Sequence, residues 1–548
     1  MVLAFLVSFP LGSIFVRLPH DKPNIAHAFS LAVSTFFLWP LLGMGRGLLH
    51  LLFSCGVTYL IVVFNRSPNM PWMVFFFVMA HILYNHARRT FIGLDGAGDI
   101  TFAQSMMVQK LSLFAWNDLD ETQLATRLQH VPSPLPFLGY CFFFPSVLAG
   151  PSVDYATYDS LILGTIYDIS PPGVSPAQAK ANKRRVPYGR KRVAYLHLLL
   201  GLGFMGAYAL YGAKADYHRI LEPTWWTWGK AARFGFVNFA GLIARTKYYG
   251  AWSLTEGACI LTGIGFNGYD PETGRTLWNR ARNVNIVAIE TAESFKVLFD
   301  SWNCRTNVWL RDCVYKRLTK KGKKPGTKES MATFVTSAIW HGVEPGYYLA
   351  FISAGLLTSL GRQFRHYVRP YFLPPASAPT SAPNALPKYP YPNLRKRVYD
   401  VIGWIMVQIN LNNVAASFVL LDLKDCFRAW ARMYFYSHVL IIISTAFFHF
   451  GGRRALRKGL EARGISTTKR SIPKDVPSVQ VSPPSPPREE MDPKDLHWIR
   501  HALDSPSQDG GEGMGPDGGF VEELMSGAET PRNETPRGGT PVRVSKEE

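Results

Sequence analysis

Cysteine is scarce: six residues in 548, at positions 55, 141, 259, 304, 313 and 426, with no Cys-x-x-Cys pair among them. That scatter excludes a disulfide framework or a zinc ribbon, and most of the six read as small apolar residues. Carboxylates are also in short supply, 39 against 59 Lys and Arg, for a formal charge of +20. On a soluble chain such an excess points to nucleic acid, but no RNA- or DNA-binding motif is present. The basic residues instead cluster in loops between apolar runs, as cytoplasmic loops of membrane proteins do. Such loops also suit anionic lipid surfaces or an anionic cosubstrate. The glycines of Gly263-Ile264-Gly265-Phe266-Asn267-Gly268 are too few, and no strand precedes them, so a nucleotide fingerprint is excluded. Asp95 and Asp99 lack a third oxygen donor for a metal, and read as turn and cap residues before a helix.

What the chain has is apolar mass. Hydrophobic residues make up 47% and aromatics 14%, with 36 Phe and 14 Trp, and they are gathered into runs. Four runs come first, at Met1–Val16, Ile25–Leu42, Gly47–Phe64 and Pro71–Tyr84. The first has no basic residues before it and no convincing cleavage site, so it reads as a retained membrane segment. A helix from Phe102 to Trp116 carries Gln104, Gln109 and Lys110, polar groups expected to face the protein interior or a reaction cavity. Prolines at 136, 145 and 151 predict a broken or re-entrant segment over Leu135–Gly150. The loop Pro171–Arg192 is basic and assigned to the cytoplasm. Further spans are expected at Val193–Tyr211, Ala231–Ile243, Trp252–Gly265, Val401–Leu421 and Met433–Phe450. Val284–Phe299 reads as an amphipathic interfacial segment, and Pro370–Pro392 as an extended connector. Glu256, an acid inside an apolar run, is expected to have a structural partner.

These features predict an all-α polytopic membrane protein, with residues 1–452 forming one multi-span domain. Residues 453–548 are expected to form a disordered polar tail, rich from about 465 in Pro, Ser, Gly and Glu and too poor in apolar residues to bury a core. Thr530-Pro531, Thr535-Pro536 and Thr540-Pro541 in that tail suit proline-directed phosphorylation.

The chemistry is concentrated in Trp302–Phe351. Asn307 sits in Thr306-Asn307-Val308-Trp309-Leu310-Arg311, and His341 in Trp340-His341-Gly342. His341 lies in an apolar run, Met331–Leu357, long enough to cross a bilayer, where an ionisable residue marks a site by default. The bland alternative is a core histidine with a satisfied partner. Imidazole accepts a proton near neutral pH. An amide both donates and accepts hydrogen bonds, so it can hold a hydroxyl or steady an oxyanion. With no Ser or Cys nucleophile in a consistent arrangement, direct transfer is favoured over a covalent acyl-enzyme, although Cys304 and Cys313 bracket Asn307. The basic turn Lys320-Lys321-Gly322-Lys323-Lys324, with Arg311, Lys316 and Arg317, either attracts a polyphosphate or sets topology.

Trp340-His341-Gly342 followed by Pro345-Gly346-Tyr347-Tyr348, with Thr306-Asn307-x-Trp309-Leu310-Arg311 upstream, resembles the membrane-bound O-acyltransferase family, in particular its fungal lysophospholipid acyltransferase branch. Met106–Leu111 and Leu135–Gly150 extend the resemblance. It implies a multi-helix core with broken segments around an intramembrane reaction chamber. It implies transfer of a fatty acyl group from acyl-CoA, a cosubstrate with no further cofactor or metal, to the free, sn-2 hydroxyl of a lysophospholipid. On that reading His341 is the general base and Asn307 orients the reactants or steadies the oxyanion. Trp302, Asn303, Thr306, Trp309, Arg311, Trp340, Gly342, Gly346 and Tyr348 shape the site, with Lys320, Lys321, Lys323 and Lys324 binding substrate. The partners implied are acyl-CoA, lysophospholipids and membrane lipids, not nucleic acid, with room for a homo-oligomer. The place implied is the endoplasmic reticulum membrane with a cytosolic tail. Competing acceptors are a sterol, a diacylglycerol or a protein. A transporter using His341 and Glu256 as a proton relay is the competing class, but the chain has no internal repeat of the kind transporters often show.

Overall fold

The computed structural model describes residues 1–65, 67–93, 99–119, 130–174, 185–319, 326–373 and 394–463. Asp95, Lys320, Lys321, Lys323, Lys324, most of the Pro-rich connector and the tail beyond 463 lie outside the described residues. Among the described residues there is no strand, only an isolated bridge between Tyr269 and Thr276. The chain is an all-α polytopic membrane protein. Five helical stretches among the described residues are long and apolar enough to cross a membrane: Pro23–Leu41, Gly45–Phe64, Arg190–Tyr211, Leu394–Leu420 and Tyr436–Glu461.

The first helices follow the apolar runs closely. They are α1 (Val2–Phe15), α2 (Pro23–Phe36, continuing through a widened turn to Leu41), α3 (Gly45–Phe64) and α4 (Met70–Phe91). The next, α5 (Thr101–Leu119), is started by Asp99, whose Oδ1 accepts from the Thr101 amide at 2.9 Å and the Thr101 hydroxyl at 2.6 Å. The proline-rich segment is broken as expected. It forms α6 (Pro134–Cys141), then a short tight turn at Phe144–Ser146 and α7 (Tyr155–Ile162). Buried Gln104, Gln109 and Lys110 do face the interior. Lys110 Nζ donates to the Tyr140 and Cys141 carbonyls, at 3.2 and 3.1 Å, holding α6 against α5.

Two expectations about spans are corrected. Helix α8 (Arg190–Tyr211) begins inside the basic loop. The two short spans expected at Ala231–Ile243 and Trp252–Gly265 are one helix, α9 (Lys230–Thr262), of 33 residues. The polar stretch between them is helical because its charges have distant partners. Arg245 is 4% exposed. Its Nε and one terminal nitrogen grip the two Glu290 oxygens, each at 2.8 Å, and the other nitrogen reaches Asn412 Oδ1 at 2.5 Å. Tyr249 donates to the same Glu290 at 2.7 Å. Glu256 is likewise held, accepting from the Asn283 amide at 3.0 Å and lying 3.8 Å from His197 Nε2. Replacing Arg245 by leucine strands the Glu290 carboxylate. The expected cost is about 2–3 kcal/mol, read as a lower melting temperature of the purified protein.

Glu290 belongs to α10 (Ile286–Glu290), which is followed by α11 (Phe295–Ser301) and α12 (Cys304–Leu310). The single amphipathic segment expected over Val284–Phe299 is therefore two short helices, with Glu290 turned toward α9. Then come α13 (Thr327–His341), α14 (Pro345–Gln363), α15 (Leu394–Leu420), α16 (Leu423–Arg432), α17 (Tyr436–Phe447) and α18 (Arg453–Glu461).

The apolar run Met331–Leu357 is not one span. Gly342 has φ 154° and ψ −174°, a conformation reserved for glycine, and Pro345 opens the next helix, where its missing N–H costs nothing. Gly355, far along α14, lies against Met331 and Phe334, early in α13. The two helices thus run antiparallel, and His341 stands at the tip of their hairpin.

Candidate active site

Among the described residues two segments hold the site residues singled out by sequence, and α5 lies against both. Asn303 opens α12 with φ 45°, a left-handed conformation that asparagine tolerates. Its Oδ1 accepts from the Thr306 hydroxyl at 2.8 Å, and Gln109 of α5 donates to that same hydroxyl at 2.7 Å. One turn on, Asn307 Nδ2 donates to the Phe299 carbonyl at 3.2 Å and lies 3.5 Å from Asp300 Oδ1. The amide nitrogen is thereby tied back to α11, which leaves Oδ1 as the atom offered to a ligand.

Trp309 is fully buried, and its indole N–H donates to Ser112 Oγ at 2.7 Å. Trp340 donates to the Ser105 carbonyl at 3.1 Å. Ser105, Gln109 and Ser112 fall at i, i+4 and i+7, one stripe of α5. That single stripe fixes both the Asn307 segment and the His341 segment. The two indoles also meet each other, ring centroids 5.7 Å apart. The motif after Asn307 and the motif before His341 are therefore direct neighbours.

His341 sits in an aromatic box. Its ring stacks on Phe351 at 4.9 Å, meets Phe418 edge-on at 5.0 Å and lies 5.7 Å from Tyr347. It is half-buried, and among the described residues its ring has no hydrogen-bond partner. A histidine that served only to fill a core would be expected to spend at least one ring nitrogen on a protein group. Among the described residues this one spends neither.

The hairpin tip is clamped from two sides. His86 Nε2 lies 3.2 Å from the Trp340 carbonyl. Arg89 donates to Glu344 at 2.9 Å, and the Thr90 hydroxyl donates to the same oxygen at 2.7 Å. On the other side the Gly346 amide donates to the Leu421 carbonyl at 2.8 Å. A Cβ on Gly346 would collide with the Ser417 carbonyl oxygen and lie 2.6 Å from Leu421 Cα. Leu421 itself has φ 63°, strained for leucine, and this turns its carbonyl toward α14.

Other expected site residues take peripheral places. Trp302 packs on Tyr248, Tyr249 and Trp252 of α9, nearest to Trp252 at 5.1 Å. Arg311 is bidentate to Asp312, both contacts 3.1 Å, and Lys316 reaches Asp312 at 2.7 Å. Burial of Asp312 raises its carboxyl pKa, but Arg311 and Lys316 outweigh that and hold it below the usual range. Tyr348 is half-buried on the first turn of α14. The Cys304 thiol donates to the Asp300 carbonyl at 3.2 Å, and Cys313 is fully buried. His86, Arg89, Glu344, Ser112 and Phe418 were not anticipated. Glu344 stands inside the histidine motif, and His86 and Arg89 at the end of an apolar helix, where a polar cluster was visible. Phe418 carries no local signal.

Residues 60–386 match the family model of the membrane-bound O-acyltransferases. The chain belongs to the membrane-bound O-acyltransferase family. A lysophospholipid acyltransferase of Schizosaccharomyces pombe is 35% identical over 481 residues, 84% of this chain and 88% of the relative. One of Saccharomyces cerevisiae is 35% identical over 468 residues, 82% of this chain and 73% of the relative. Human membrane-bound glycerophospholipid O-acyltransferase 2 is 30% identical over 407 residues, 72% and 74% of the two chains. In this membrane-bound O-acyltransferase the matched region contains α4 through α14, and with them the stripe of α5 and the hairpin tip.

Proposed function

We propose that this enzyme transfers a fatty acyl group from acyl-CoA to the free sn-2 hydroxyl of lysophospholipids. The observation that carries the reading is half-buried His341 at the hairpin tip, whose ring has no hydrogen-bond partner among the described residues, one residue beyond the indole that packs on the Asn307 segment. The names of the fungal relatives support the acceptor class.

On this reading His341 takes the proton of the acceptor hydroxyl as its oxygen bonds to the thioester carbonyl carbon. The tetrahedral adduct then expels the CoA thiolate by breaking the C–S bond, and the imidazolium returns the proton to sulfur. Asn307 Oδ1 accepts from the hydroxyl before attack and fixes its direction. An acceptor role fits better than oxyanion stabilisation because Nδ2 is already tied to Phe299. Acyl-CoA approaches from the cytosolic side, its phosphates drawn by Lys320, Lys321, Lys323 and Lys324. The enzyme resides in the endoplasmic reticulum membrane with its tail in the cytosol.

The test uses membranes of a host lacking its own lysolipid acyltransferases, labelled oleoyl-CoA and a panel of lysophospholipids. Labelled phospholipid formed only with the chain present is the expected outcome. A well-expressed chain that acylates no member of the panel overturns the reading.

A further inference from the structure

A cavity open to solvent lies between the start of α3, the end of α4 and the start of α5. Among the described residues lining it are Arg46, His50, Arg88, Arg89, Asp99 and Thr101. Arg46, Arg88 and Arg89 bring guanidiniums to this lining, and Asp99, its carboxylate among the described residues, is engaged by Thr101 at 2.6 Å and Arg89 at 3.3 Å. Arg46 is exposed to the cavity mouth, on the first turn of α3, where helix amides add a positive partial charge. Behind the wall, Ser54 Oγ lies 2.7 Å from His81 Nδ1, and His81 Nε2 lies 3.1 Å from His50 Nδ1. Read from Ser54 to His81 to His50 with both rings neutral, this chain leaves a proton on His50 Nε2, a further donor for the cavity. Nothing in the proposed acyl transfer uses Arg46, His50 or Arg88.

We infer that this cavity binds the phosphodiester of the acceptor lysophospholipid. A wall of guanidiniums and an imidazole N–H matches a phosphate in charge and in donor chemistry. The other source of phosphate is CoA, and position decides between them. Arg89 lines the cavity with one terminal nitrogen near Asp99, while the other holds Glu344, three residues after His341. The cavity therefore adjoins the hairpin tip. In a lysophospholipid the reacting hydroxyl is only a few bonds from phosphorus. In CoA the phosphates lie a full pantetheine arm from the thioester. The far end of α13, about 22 Å along the helix from His341 for its 15 residues, is the better place for the CoA end. This inference rests on the lysophospholipid reading above.

The experiment measures equilibrium binding to the purified full-length protein, without turnover. The probes are oleoyl-lysophosphatidylcholine, monooleoylglycerol, which keeps the glycerol hydroxyls but has no phosphate, and oleoyl-CoA. Arg46→Gln is expected to weaken lysophosphatidylcholine binding about tenfold and to leave the other two unchanged, with Arg46→Lys restoring most of the loss. Weakening of oleoyl-CoA instead overturns the acceptor assignment. Unchanged binding of all three, in a variant that melts at the wild-type temperature, overturns the site. If Arg46→Gln does not fold, His50→Gln carries the same expectation and the same refutation. Binding through Arg46 in a chain that acylates no lysophospholipid keeps the site and overturns only the proposed reaction.

Discussion

Replacing His341 by alanine is expected to lower acyl transfer by about 10²–10⁴-fold, with expression and melting temperature close to wild type. The loss follows from chemistry, since the neutral imidazole is the one group in the aromatic box able to accept the hydroxyl proton. The stability expectation follows from packing. The ring is half-buried, makes no hydrogen bond among the described residues, and leaves Phe351, Phe418 and Tyr347 in contact with one another when removed. Retention of more than about a tenth of the activity in a correctly folded His341→Ala protein would exclude a general-base role. Asn307 admits a sharper test. If Oδ1 orients the hydroxyl, Asn307→Asp keeps an acceptor oxygen and loses less than Asn307→Ala. If the amide instead donates to an oxyanion, aspartate is the worse replacement, because it sets a negative charge against a negative charge. The order of the two variants in kcat separates the roles.

Much of this site was legible in the chain because its parts are local. Trp302–Arg311 sets two tryptophans around Asn307, Trp340–Tyr348 sets Trp340, two glycines and two tyrosines around His341, and Trp309 meets Trp340 in the fold. Other features were not, for two physical reasons. Buried charge imitates a loop when read locally. The polar stretch around Arg245 broke α9 into two spans on paper, yet Arg245, like Glu256 further on, is held within the fold by a residue well along the chain, Glu290 for the first and Asn283 for the second. Hydrophobic length misleads in the opposite direction. Met331–Leu357 is long enough to span, but Gly342 and Pro345 are breakers, and they outweighed length. The clamp was out of reach for the same reason as the charge partners. Arg89 and Glu344 are joined across more than 250 positions, and no periodicity reports such a pair.

Gly342→Ala is expected to cut kcat by about 10²-fold, the scale of an ångström-sized misplacement of a catalytic group. Two costs act at one residue. The backbone at φ 154° and ψ −174° is strained for any side chain, by roughly 1–3 kcal/mol. The new Cβ would also collide with Glu344 Oε2 and lie 2.7 Å from Tyr347 Cε2. Neither neighbour yields cheaply. Glu344 is held through its other oxygen by Arg89 and Thr90, and the Tyr347 ring is packed on Phe418 at 5.0 Å and on His341 at 5.7 Å. Relief therefore moves Tyr347 into the histidine or pulls Glu344 from α4, and either displaces His341. A variant that only destabilised the protein would lose activity in proportion to folded enzyme. Here kcat per folded molecule is expected to fall while acyl-CoA binding is retained, because the hairpin tip positions the base and not the CoA. Full kcat per folded molecule in Gly342→Ala would mean that the tip tolerates a shift of its turn, and that the alignment of His341 comes from the Trp340 and Trp309 contacts on α5 alone.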